Sequence, residues 1–543
     1  MPARPTMMEV KAALQRRLQA GDLQGAAQLA SVAVADGLED ARLFTLSAFH
    51  HLGATAFDLA LDHAERALAL APRDVDALTA KAVILSRMNR SREALSVFDA
   101  ALRIAPSSAQ LHFQKACALT DLNELPRAQR EFERTLQLQP AHVEALSRLA
   151  NLAAQRGDTG AARDYSMRSL KLDPQQLAVR LTLAQADLEE ENYQAALDGV
   201  SAVRGARTLA PVNAAVAEGL MGDALDALGR TQEAFVHYTR CNDIQRELHR
   251  GQFEDVDGET ALERVCKRIA YFKSVPAQTW HVAPSVTPSS RRVHVFLVGF
   301  PRSGTTLLEQ VLASHPDVES MEERDCLNEA ADEFVYPVGG LDRLAALPPS
   351  ALDAWRDVYW GHVADAGLSA AKPVFIDKLP LNTVLLCLVA KLFPQAKILF
   401  ALRDPRDVVL SCFRRRFRMN AQMYELLTLP GAAHYYDATM QLADLYRAKL
   451  GLEIFDARYE TLVSDFDGET ERLCAFLGIG TDQGMRAFAE KVKQRGVATP
   501  SAVQVARGLY TQGMEQWRRY AQELAPVMPI LAPWVARFEY SPQ

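Results

Sequence analysis

The sequence predicts a multidomain protein in which an all-α repeat superhelix precedes a P-loop-like α/β domain with a central parallel sheet. The chain has 543 residues, which is more than one hydrophobic core usually holds. In its first half, small and apolar residues recur at a step of 34 residues, the period of helix–turn–helix repeats. In its second half, an apolar strand pattern, a glycine-containing loop and a helical pattern follow one another, which is the order of a phosphate-binding loop.

Composition narrows the classes of function. A net charge of −7 and a pI near 6.0 argue against bulk binding of nucleic acid, which needs a broad basic field. Seven cysteines without a CxxC pair predict reduced thiols and a cytoplasmic location. The sequence shows no signal-peptide pattern and no apolar run of membrane-spanning length. We therefore expect a soluble protein without a membrane span and without a nucleic-acid partner.

Four sets of residues keep one register through the first half of the chain. One set consists of prolines, two of alanines and one of leucines. Small alanines suit close helix crossings, leucines fill the gaps, and a proline ends one helix or opens the next repeat. The members are Pro72, Pro106, Pro140 and Pro174, then Ala60, Ala94, Ala128 and Ala162, then Ala82, Ala116, Ala150 and Ala184, and finally Leu68, Leu102, Leu136 and Leu170.

This register resembles that of the tetratricopeptide repeat, most clearly over residues 58–190. Such helix pairs bury their apolar faces only by stacking, and the stack presents a concave surface. We expect the array, placed at residues 1–250, to hold a peptide or protein. The alternatives are a spacer and a dimerisation element, which would make the chain a homodimer. Prolines and serines near residue 280 predict a connecting helix and linker over 251–290, before a second domain over 291–543.

The stretch VFLVGFPRSGTTLLEQ, residues 295–310, predicts an anion site. A buried strand, a loop with two glycines and an apolar helix follow one another, so that backbone N–H groups would point at an anion. In nucleotide hydrolases a lysine of this loop reaches the β- and γ-phosphates. Here Thr305 takes the lysine position, and the cation inside the loop is Arg302. The loop therefore suits a phosphate but lacks the usual triphosphate clamp.

A second motif, RDPRDVVLS, predicts a further phosphate site. Arg403 follows the predicted strand ILFAL, and Ser411 lies about two helical turns further on, so that a guanidinium and a hydroxyl could converge on one phosphate. The run VFID at 374–377 is similar to a Walker B strand and keeps a nucleotide hydrolase or kinase as a remote alternative. Lys378 follows that run directly and would compete with a metal.

PRSGTT together with RDPRDVVLS resembles the cofactor signature of sulfotransferases that use 3′-phosphoadenosine 5′-phosphosulfate. The stretch HPDVESMEERD at 315–325 is similar to the protein-tyrosine sulfotransferase branch, which includes bacterial proteins that join tetratricopeptide repeats to such a domain. The resemblance covers roughly residues 291–540. It implies that the first motif holds the 5′-phosphosulfate, that the second holds the 3′-phosphate, and that no metal takes part.

The same resemblance implies catalytic roles. Glu323 would be the general base, although its neighbour Glu322 could take that role instead. Lys378 would stabilise the bridging oxygen as it leaves, and Arg302 would assist at the phosphosulfate. Both glutamates could alternatively stabilise the start of a following helix. His315 corresponds in type to the base of cytosolic small-molecule sulfotransferases, but it precedes a proline, and we expect a structural role for it.

The resemblance also implies cofactor contacts. The expected ligands of the 5′-phosphosulfate come from the loop, and those of the 3′-phosphate come from the second motif and from a following arginine on the same helix face. A tyrosine beside the adenosine and a serine in a closing segment complete the set. The expected residues are Arg302, Ser303, Gly304, Thr305, Thr306, Arg403, Ser411, Arg415, Tyr459 and Ser501.

Two further expectations concern charged residues near these motifs. Gln516 stands where the family has a lysine, so either Arg518 or Arg519 compensates or a phosphate contact is lost. The neighbours of Arg415, which are Arg414, Arg416 and Arg418, are expected to be solvated or to attract an acidic acceptor.

The predicted function is transfer of a sulfuryl group from 3′-phosphoadenosine 5′-phosphosulfate to a hydroxyl, with 3′,5′-adenosine bisphosphate as product. Tyrosine of a peptide or protein held by the repeats is the leading acceptor. Two alternatives stay open. One is sulfation of a carbohydrate or small-molecule hydroxyl, and the other is a non-catalytic repeat scaffold with a nucleotide-binding domain.

Overall fold

The 34-residue period of the sequence appears in space as a series of paired helices. The computed structural model describes residues 6–204, 209–254, 258–280, 292–495, 508–509 and 513–542. The chain divides into two compact units, Met1–Ala186 and Asp187–Gln543. The repeat helices are α1 Met7–Gln19, α2 Leu23–Ala35, α3 Ala41–Gly53, α4 Phe57–Leu70, α5 Val75–Arg87, α6 Ser91–Ile104, α7 Ala109–Asp121, α8 Leu125–Leu138, α9 Val143–Gln155, α10 Thr159–Leu172 and α11 Leu177–Glu189.

The helix pairs of the first unit follow the register of the sequence. Helices α3, α5, α7 and α9 begin at steps of 34 residues, as do α4, α6, α8 and α10. The alanines of the register are fully buried, whereas Leu136 is the most buried of the four leucines. Each register proline lies in the turn that follows the second helix of its pair. Close helix crossings at alanine, with proline outside the helices, are therefore confirmed.

The turn inside each helix pair contains one residue in the left-handed region of backbone space. Asparagine enters this region with little strain and glycine with none, but threonine and glutamate do so at an energetic cost. The residues are Gly21, Thr55, Asn89, Asn123, Gly157 and Glu191, with φ values of 75°, 58°, 59°, 59°, 72° and 65°.

The second unit begins with four helices, α12 Tyr193–Arg204, α13 Pro211–Ala227, α14 Thr231–Phe253 and α15 Ala261–Ser274. Of these, α14 and α15 pack on the α/β part of the same unit. The ring of Phe235 on α14 stacks on Phe413, with centroids 5.2 Å apart. The side-chain amide of Asn242 donates to the Phe413 carbonyl at 2.9 Å. Helix α14 is thus part of the surroundings of the second phosphate motif.

A five-stranded parallel sheet forms the core of the second unit. Its strands are β1 Val293–Gly299, β2 Val318–Glu322, β3 Val374–Lys378, β4 Lys397–Leu402 and β5 Glu453–Arg458. Their order is β2-β3-β1-β4-β5, and every neighbouring pair is parallel. The chain passes to one side of β1 and later to the other, so β1 and β4 flank a topological switch point, where ligands bind outside the carboxyl ends of the strands.

Helices cover both faces of the sheet, as the apolar strands require. They are α16 Thr305–Ala313, α17 Asn328–Phe334, α18 Gly340–Ala346, α19 Asp353–Asp365, α20 Leu386–Leu392, α21 Pro405–Phe413, α22 Ala421–Glu425, α23 Leu429–Lys449, α24 Tyr459–Ser464, α25 Phe466–Leu477, α26 Phe488–Arg495, α27 Ala521–Leu524 and α28 Met528–Arg537. Within the described ranges, every helix is too short or too polar to span a bilayer. The predicted fold class, helical repeats followed by an α/β domain with a parallel sheet, is confirmed.

Candidate active site

The carboxyl ends of all five strands carry residues of the candidate site. Parallel strands end at one edge of a sheet, so residues at or just after these ends are brought together. They are Gly299 at the end of β1, Glu323 after β2, Lys378 at the end of β3, Arg403 after β4 and Tyr459 after β5. The sheet thus assembles residues from widely separated parts of the sequence at one edge.

The loop between β1 and α16 has the backbone of an anion site. Arg302 has φ 71° and Gly304 has φ 92°, so two residues of the loop are in the left-handed region. A non-glycine residue in this region is strained, and such strain is found mainly at functional sites. A Cβ atom on Gly304 would lie 2.7 Å from the Tyr459 ring, which requires glycine there. The buried Ser303, Thr305 and Thr306 surround the start of α16.

Hydrogen bonds join three residues of the two predicted phosphate motifs. The Arg302 Nε donates to Ser411 Oγ at 3.0 Å. The Arg403 Nη1 donates to the Arg302 carbonyl at 3.0 Å. The Arg403 guanidinium lies 5.0 Å from the centre of the Tyr459 ring. The structure therefore brings together four of the residues that the sequence assigned to the cofactor.

Positive charge is concentrated around Arg302. Burial, followed by the charges of Arg415 and Arg403, lowers the pKa of Arg302 to about 9. The Arg403 Nε is buried and has no hydrogen-bond partner among the described residues. Buried N–H donors and mutually repelling guanidinium groups favour a bound anion with several negative charges. The residues present thus fit a phosphate-bearing ligand.

Arg415 approaches this cluster in a different way from that predicted. The sequence predicted Arg415 on the same helix face as Ser411, but α21 ends at Phe413, before Arg415. One reason is that the Asn242 amide occupies the Phe413 carbonyl. The Arg415 N–H closes a turn onto the Cys412 carbonyl at 3.2 Å. Arg415 therefore reaches the neighbourhood of Arg302 from a turn rather than from a helix face.

The expectation that Arg414 is solvated is wrong. Its guanidinium pairs with Asp226 on α13, and the Arg414 side chain is 14% exposed. Arg416 lies 3.6 Å from Asp223. Arg418 is exposed, as expected. The arginine run is thus divided between the anion site, a buried ion pair and solvent.

Lys378 lies between two carboxylates. Its Nζ donates to Glu323 Oε1 at 2.8 Å and is 3.3 Å from Glu309 Oε2. The Glu323 side chain is 40% exposed, whereas those of Lys378 and Glu309 are completely buried. Burial acts to lower the pKa of Lys378, but Glu309 and Glu323 raise it above its ordinary value. The lysine is therefore held as a cation beside the accessible carboxylate of Glu323. The backbone of Glu323 has a φ of 31°, which is a strained value for a residue other than glycine.

Sequence reasoning missed Glu309. Its signal was weak, a single carboxylate among the apolar residues of TTLLEQVL. Burial acts to raise the pKa of Glu309, whereas the neighbouring charge of Lys378 acts to lower it. Glu322, the alternative base, is half-buried and also acts on the charge of Lys378.

The second motif also contains residues that hold its own loop together. Arg406 is buried and binds Asp404 through Nε at 2.9 Å and through Nη2 at 2.7 Å. Its guanidinium lies 3.8 Å from the Trp517 ring centre. Asp407 accepts from the backbone N–H of Trp517 at 2.8 Å, and burial raises the pKa of Asp407 to about 6. In RDPRD the first arginine therefore belongs to the site, while the other charged residues anchor the C-terminal segment.

Other residues singled out in the sequence have partners outside the arginine cluster. His315 is engaged by backbone at both ring nitrogens, accepting from the Asp317 N–H at 3.1 Å and lying 2.9 Å from the Gly480 carbonyl. Asp377 of the Walker B-like run accepts from the Tyr359 hydroxyl at 2.8 Å.

The C-terminal segment answers part of the question about the family lysine. Gln516 begins the 3-10 helix Gln516–Tyr520. Arg518 pairs with Glu515 and Arg519 with Asp226, so both candidate substitutes have carboxylate partners of their own. Ser501 lies outside the described residues.

Comparison with known proteins names the fold of both halves. Residues 294–483 match the profile of the Sulfotransferase family. They form a sulfotransferase-family domain. Residues 48–109 and 113–176 match the profile of the Tetratricopeptide repeat, so the sulfotransferase domain follows repeats of that kind.

Three relatives illustrate the range of similarity. An uncharacterized protein of Aquifex aeolicus is 27% identical over 270 residues, with coverage of 45% of this chain and 32% of that protein. Protein-tyrosine sulfotransferase 1 of Danio rerio is 23% identical, with coverage of 46% and 72%. The nodulation protein NoeE of Sinorhizobium fredii is 30% identical over 229 residues, with coverage of 36% and 51%. The chain thus spans about a third of the first relative and half of the third.

Proposed function

We propose that the sulfotransferase domain transfers a sulfuryl group from 3′-phosphoadenosine 5′-phosphosulfate to the hydroxyl of a peptide tyrosine. The observation that carries this proposal is the meeting of two anion-binding motifs beside a paired glutamate and lysine. Arg302 and Ser411 are in direct contact, and Glu323 and Lys378 are in direct contact at the same edge of the sheet. One group of residues suits a doubly phosphorylated ligand, and the other suits proton and charge transfer.

The residues that would hold the donor follow from their positions. The backbone of the loop, Arg302 and the start of α16 would bind the 5′-phosphosulfate. Arg403, Ser411 and Arg415 would bind the 3′-phosphate, and Tyr459 would lie beside the adenosine. When bound, the donor supplies the activated sulfuryl group and a phosphate leaving group. Arg302 and Ser411 would each exchange their mutual hydrogen bond for one to a phosphate oxygen.

Glu323 and Lys378 would divide the chemistry. The Glu323 carboxylate accepts the proton of the attacking hydroxyl, because it is the accessible member of the pair. A bond forms between the acceptor oxygen and sulfur as the bond between sulfur and the bridging oxygen breaks. The Lys378 ammonium donates a hydrogen bond to that oxygen as negative charge develops on it. The proton therefore ends on Glu323, and the phosphate leaves with the bond electrons.

Relatives named protein-tyrosine sulfotransferase, from Danio rerio and Gallus gallus among others, support the choice of tyrosine. In this proposal the tetratricopeptide repeats hold the acceptor protein, and the reaction takes place in the cytoplasm. The division into a repeat array over 1–250, a linker over 251–290 and a catalytic domain over 291–543 is part of the same proposal.

Ligand-induced stabilisation tests the donor site. We expect 3′,5′-adenosine bisphosphate to raise the melting temperature of the full chain in the presence of a chelator, because binding to the folded state stabilises it. ATP with Mg²⁺ should have little effect. The opposite pattern would support a nucleotide hydrolase and contradict the proposal.

Transfer of radiolabel tests the reaction and the acceptor. The full chain is incubated with donor labelled in the sulfuryl group and with a tyrosine peptide, a phenylalanine peptide and a polysaccharide. We expect label in the tyrosine peptide alone. Glu323→Ala should abolish transfer and keep bisphosphate binding. Label in the polysaccharide alone would support sulfotransferase activity but contradict tyrosine as the acceptor. Binding of bisphosphate without any transfer of label would support the non-catalytic scaffold.

A further inference from the structure

Lys378 has a second carboxylate partner that the reaction as described does not use. Glu309 lies on α16, behind the phosphate-binding loop, and its Oε2 is 3.3 Å from Lys378 Nζ. Glu323 holds the same ammonium group from the exposed side at 2.8 Å. The Lys378 ammonium group therefore has one carboxylate partner on the buried side, Glu309, and one on the side open to an acceptor, Glu323.

The burial of Glu309 requires an explanation. Both of its side-chain oxygens are shielded from solvent and miss hydrogen-bond geometry with the described residues. A buried carboxylate without good partners destabilises a fold by several kcal/mol unless a nearby charge offsets the lost hydration. The ion pair with Lys378 provides that offset. A neutral residue at this place would leave the buried Lys378 ammonium with one carboxylate partner fewer.

We propose that Glu309 is a positioning residue that fixes the Lys378 ammonium group while Glu323 takes up the proton of the acceptor. This inference rests on the proposed function. Once Glu323 is protonated it no longer attracts Lys378, and Glu309 is then the carboxylate on the buried side that keeps the lysine charged and in place. Without Glu309, burial would favour loss of the lysine proton at the moment when its charge is needed.

The charged groups around the lysine are known. Glu309 faces it from α16, and Glu322 and Glu323 face it from the end of β2 and the residue after it. The buried Asp377 directly precedes the lysine on β3 and interacts with its charge. Ser320 of β2 faces Glu309 as a neutral hydroxyl. Removing Glu309 takes away the carboxylate that pairs with Lys378 from the buried side, while the buried Asp377 keeps the Tyr359 hydroxyl as its partner.

The test compares the wild-type chain with Glu309→Gln and Glu309→Asp, using Gln310→Ala on the same helix as the matched control. We expect Glu309→Gln to lower kcat by about 10-fold or more, with KM for the donor changed less than about threefold, because the lost interaction acts in the transition state. The alkaline limb of the kcat profile should move down by about one pH unit or more. Glu309→Asp should restore part of kcat and the alkaline limb, and Gln310→Ala should match the wild type.

A second measurement does not depend on activity. Lysine labelled with ¹³C at the ε-carbon is titrated by NMR in each full-length variant, and the Lys378 signal is assigned by its loss in Lys378→Gln. We expect Lys378 to lose its proton at lower pH in Glu309→Gln than in the wild type. If the amide variant fails to fold, Glu309→Met, which suits a dry site of similar length, replaces it in both measurements.

The outcomes separate this inference from the proposed function. A wild-type chain that transfers no sulfuryl group contradicts the function, while the lysine titration still decides whether Glu309 controls Lys378. An active wild type with an unchanged titration in Glu309→Gln overturns the inference, whether kcat is unchanged or lower, because a lower kcat alone would then reflect a purely structural effect.

Discussion

Arg403 connects more parts of the candidate site than any single motif suggested. Its guanidinium donates to the carbonyl of Arg302, lies against the ring of Tyr459 and donates to the carbonyl of Gly513. Its Nε keeps a buried donor without a partner among the described residues. At the scale of the residue, this side chain joins the loop, the residue that follows the fifth strand and the C-terminal segment.

Replacing Arg403 tests whether it binds rather than reacts. We expect Arg403→Ala to raise KM for the donor by about 10-fold to 100-fold, with a smaller fall in kcat, because a charge-assisted contact to a phosphate is lost in the ground state and in the transition state alike. Steady-state kinetics with varied donor measures this. The exposed Arg418→Ala is the control and should leave KM unchanged; a KM for Arg403→Ala equal to that of the wild type would remove this arginine from the donor site.

Residues in the two loop motifs could be predicted because their chemistry is local. The spacing of glycine, arginine and hydroxyl residues determines which backbone and side-chain donors a loop presents. Glu309 could not be predicted in this way, because its partner Lys378 comes from another strand. The division of roles in RDPRD was equally hidden, since the stacking of Arg406 on Trp517 joins residues far apart in the chain.

At the scale of the element, the turns inside the helix pairs carry a repeated local strain. The left-handed residue of each turn has the same place in the repeat but a different identity. Thr55 is β-branched, and a branched side chain fits this region of backbone space worst. The turn of α3 and α4 should therefore be less stable than the turns that use asparagine or glycine.

Substitution at this turn should stabilise the repeats. We expect Thr55→Gly to raise the free energy of unfolding by about 0.5–1 kcal/mol, since relief of strain outweighs the added flexibility of the unfolded chain. Thermal and urea denaturation, followed by circular dichroism, would measure this change. Asn89→Gly is the matched control, with a smaller expected effect; a destabilised Thr55→Gly would show that the threonine side chain contributes more than its backbone strain costs.

Helix α13 holds the second phosphate motif through one buried carboxylate. Asp226 pairs with Arg414, lies 2.7 Å from Arg519 Nη2 and accepts from the Tyr520 hydroxyl at 2.8 Å. Arg414 directly follows α21, the helix that carries Ser411, and precedes Arg415. Asp226 therefore joins Arg414, the residue that precedes Arg415, to Arg519 and Tyr520 of the C-terminal segment.

Neutralising Asp226 should weaken both the fold and the anion site. We expect Asp226→Asn to destabilise the chain by about 2–4 kcal/mol, because a buried guanidinium loses its counter-charge, and to lower the affinity for 3′,5′-adenosine bisphosphate severalfold. Urea denaturation and calorimetric titration measure the two effects. In Asp223→Asn, whose pair with Arg416 is longer and more exposed, both should change little. Unaltered bisphosphate affinity in Asp226→Asn would mean that α21 keeps its position without this contact.

The elements themselves were largely predictable, but their ends were not. The strands before the two motifs and the helix of the loop follow from local apolar patterns. The predicted helical position of Arg415 was wrong because α21 ends at Phe413, whose carbonyl accepts a hydrogen bond from an amide on α14. A cap supplied from a distant part of the chain leaves no signal in the local sequence.

At the scale of the whole molecule, the parallel sheet explains where the site lies. The class of fold could be predicted from strand, loop and helix patterns, but the order β2-β3-β1-β4-β5 could not, because strand neighbours depend on tertiary packing. Once that order is known, the switch point between β1 and β4 accounts for the meeting of Arg302 and Arg403. The glutamate and lysine pair follows from the neighbouring ends of β2 and β3, which lie side by side.

Buried carboxyl groups should make the stability of the molecule depend on pH. Burial raises the pKa of Asp377 to about 7, so its protonated form stabilises the fold fully below its ordinary pKa and this stabilisation is lost as pH rises towards 7. Asp377→Asn removes this dependence. We expect the wild type to lose about 2–3 kcal/mol relative to Asp377→Asn between pH 5 and pH 8.

Urea denaturation of the wild type and Asp377→Asn at pH 5 and pH 8 measures this difference in stability. The unfolding transition to follow is the one that 3′,5′-adenosine bisphosphate shifts, since it reports on the domain that contains Asp377. The exposed Asp317→Asn is the control and should follow the wild-type profile. Parallel pH profiles for the wild type and Asp377→Asn would show that this carboxyl is ionised in the fold near pH 5.

The arginine cluster has a consequence for turnover. Under the proposed function, the arginine cluster binds the part of the donor that becomes the product, because both phosphates remain on the nucleotide after transfer. The cluster consists of Arg302, Arg403 and Arg415. These contacts to the phosphates are not lost when the sulfuryl group is transferred. Release of 3′,5′-adenosine bisphosphate, rather than the chemical step, would then limit the rate of turnover. Accumulated bisphosphate would also act as a strong product inhibitor.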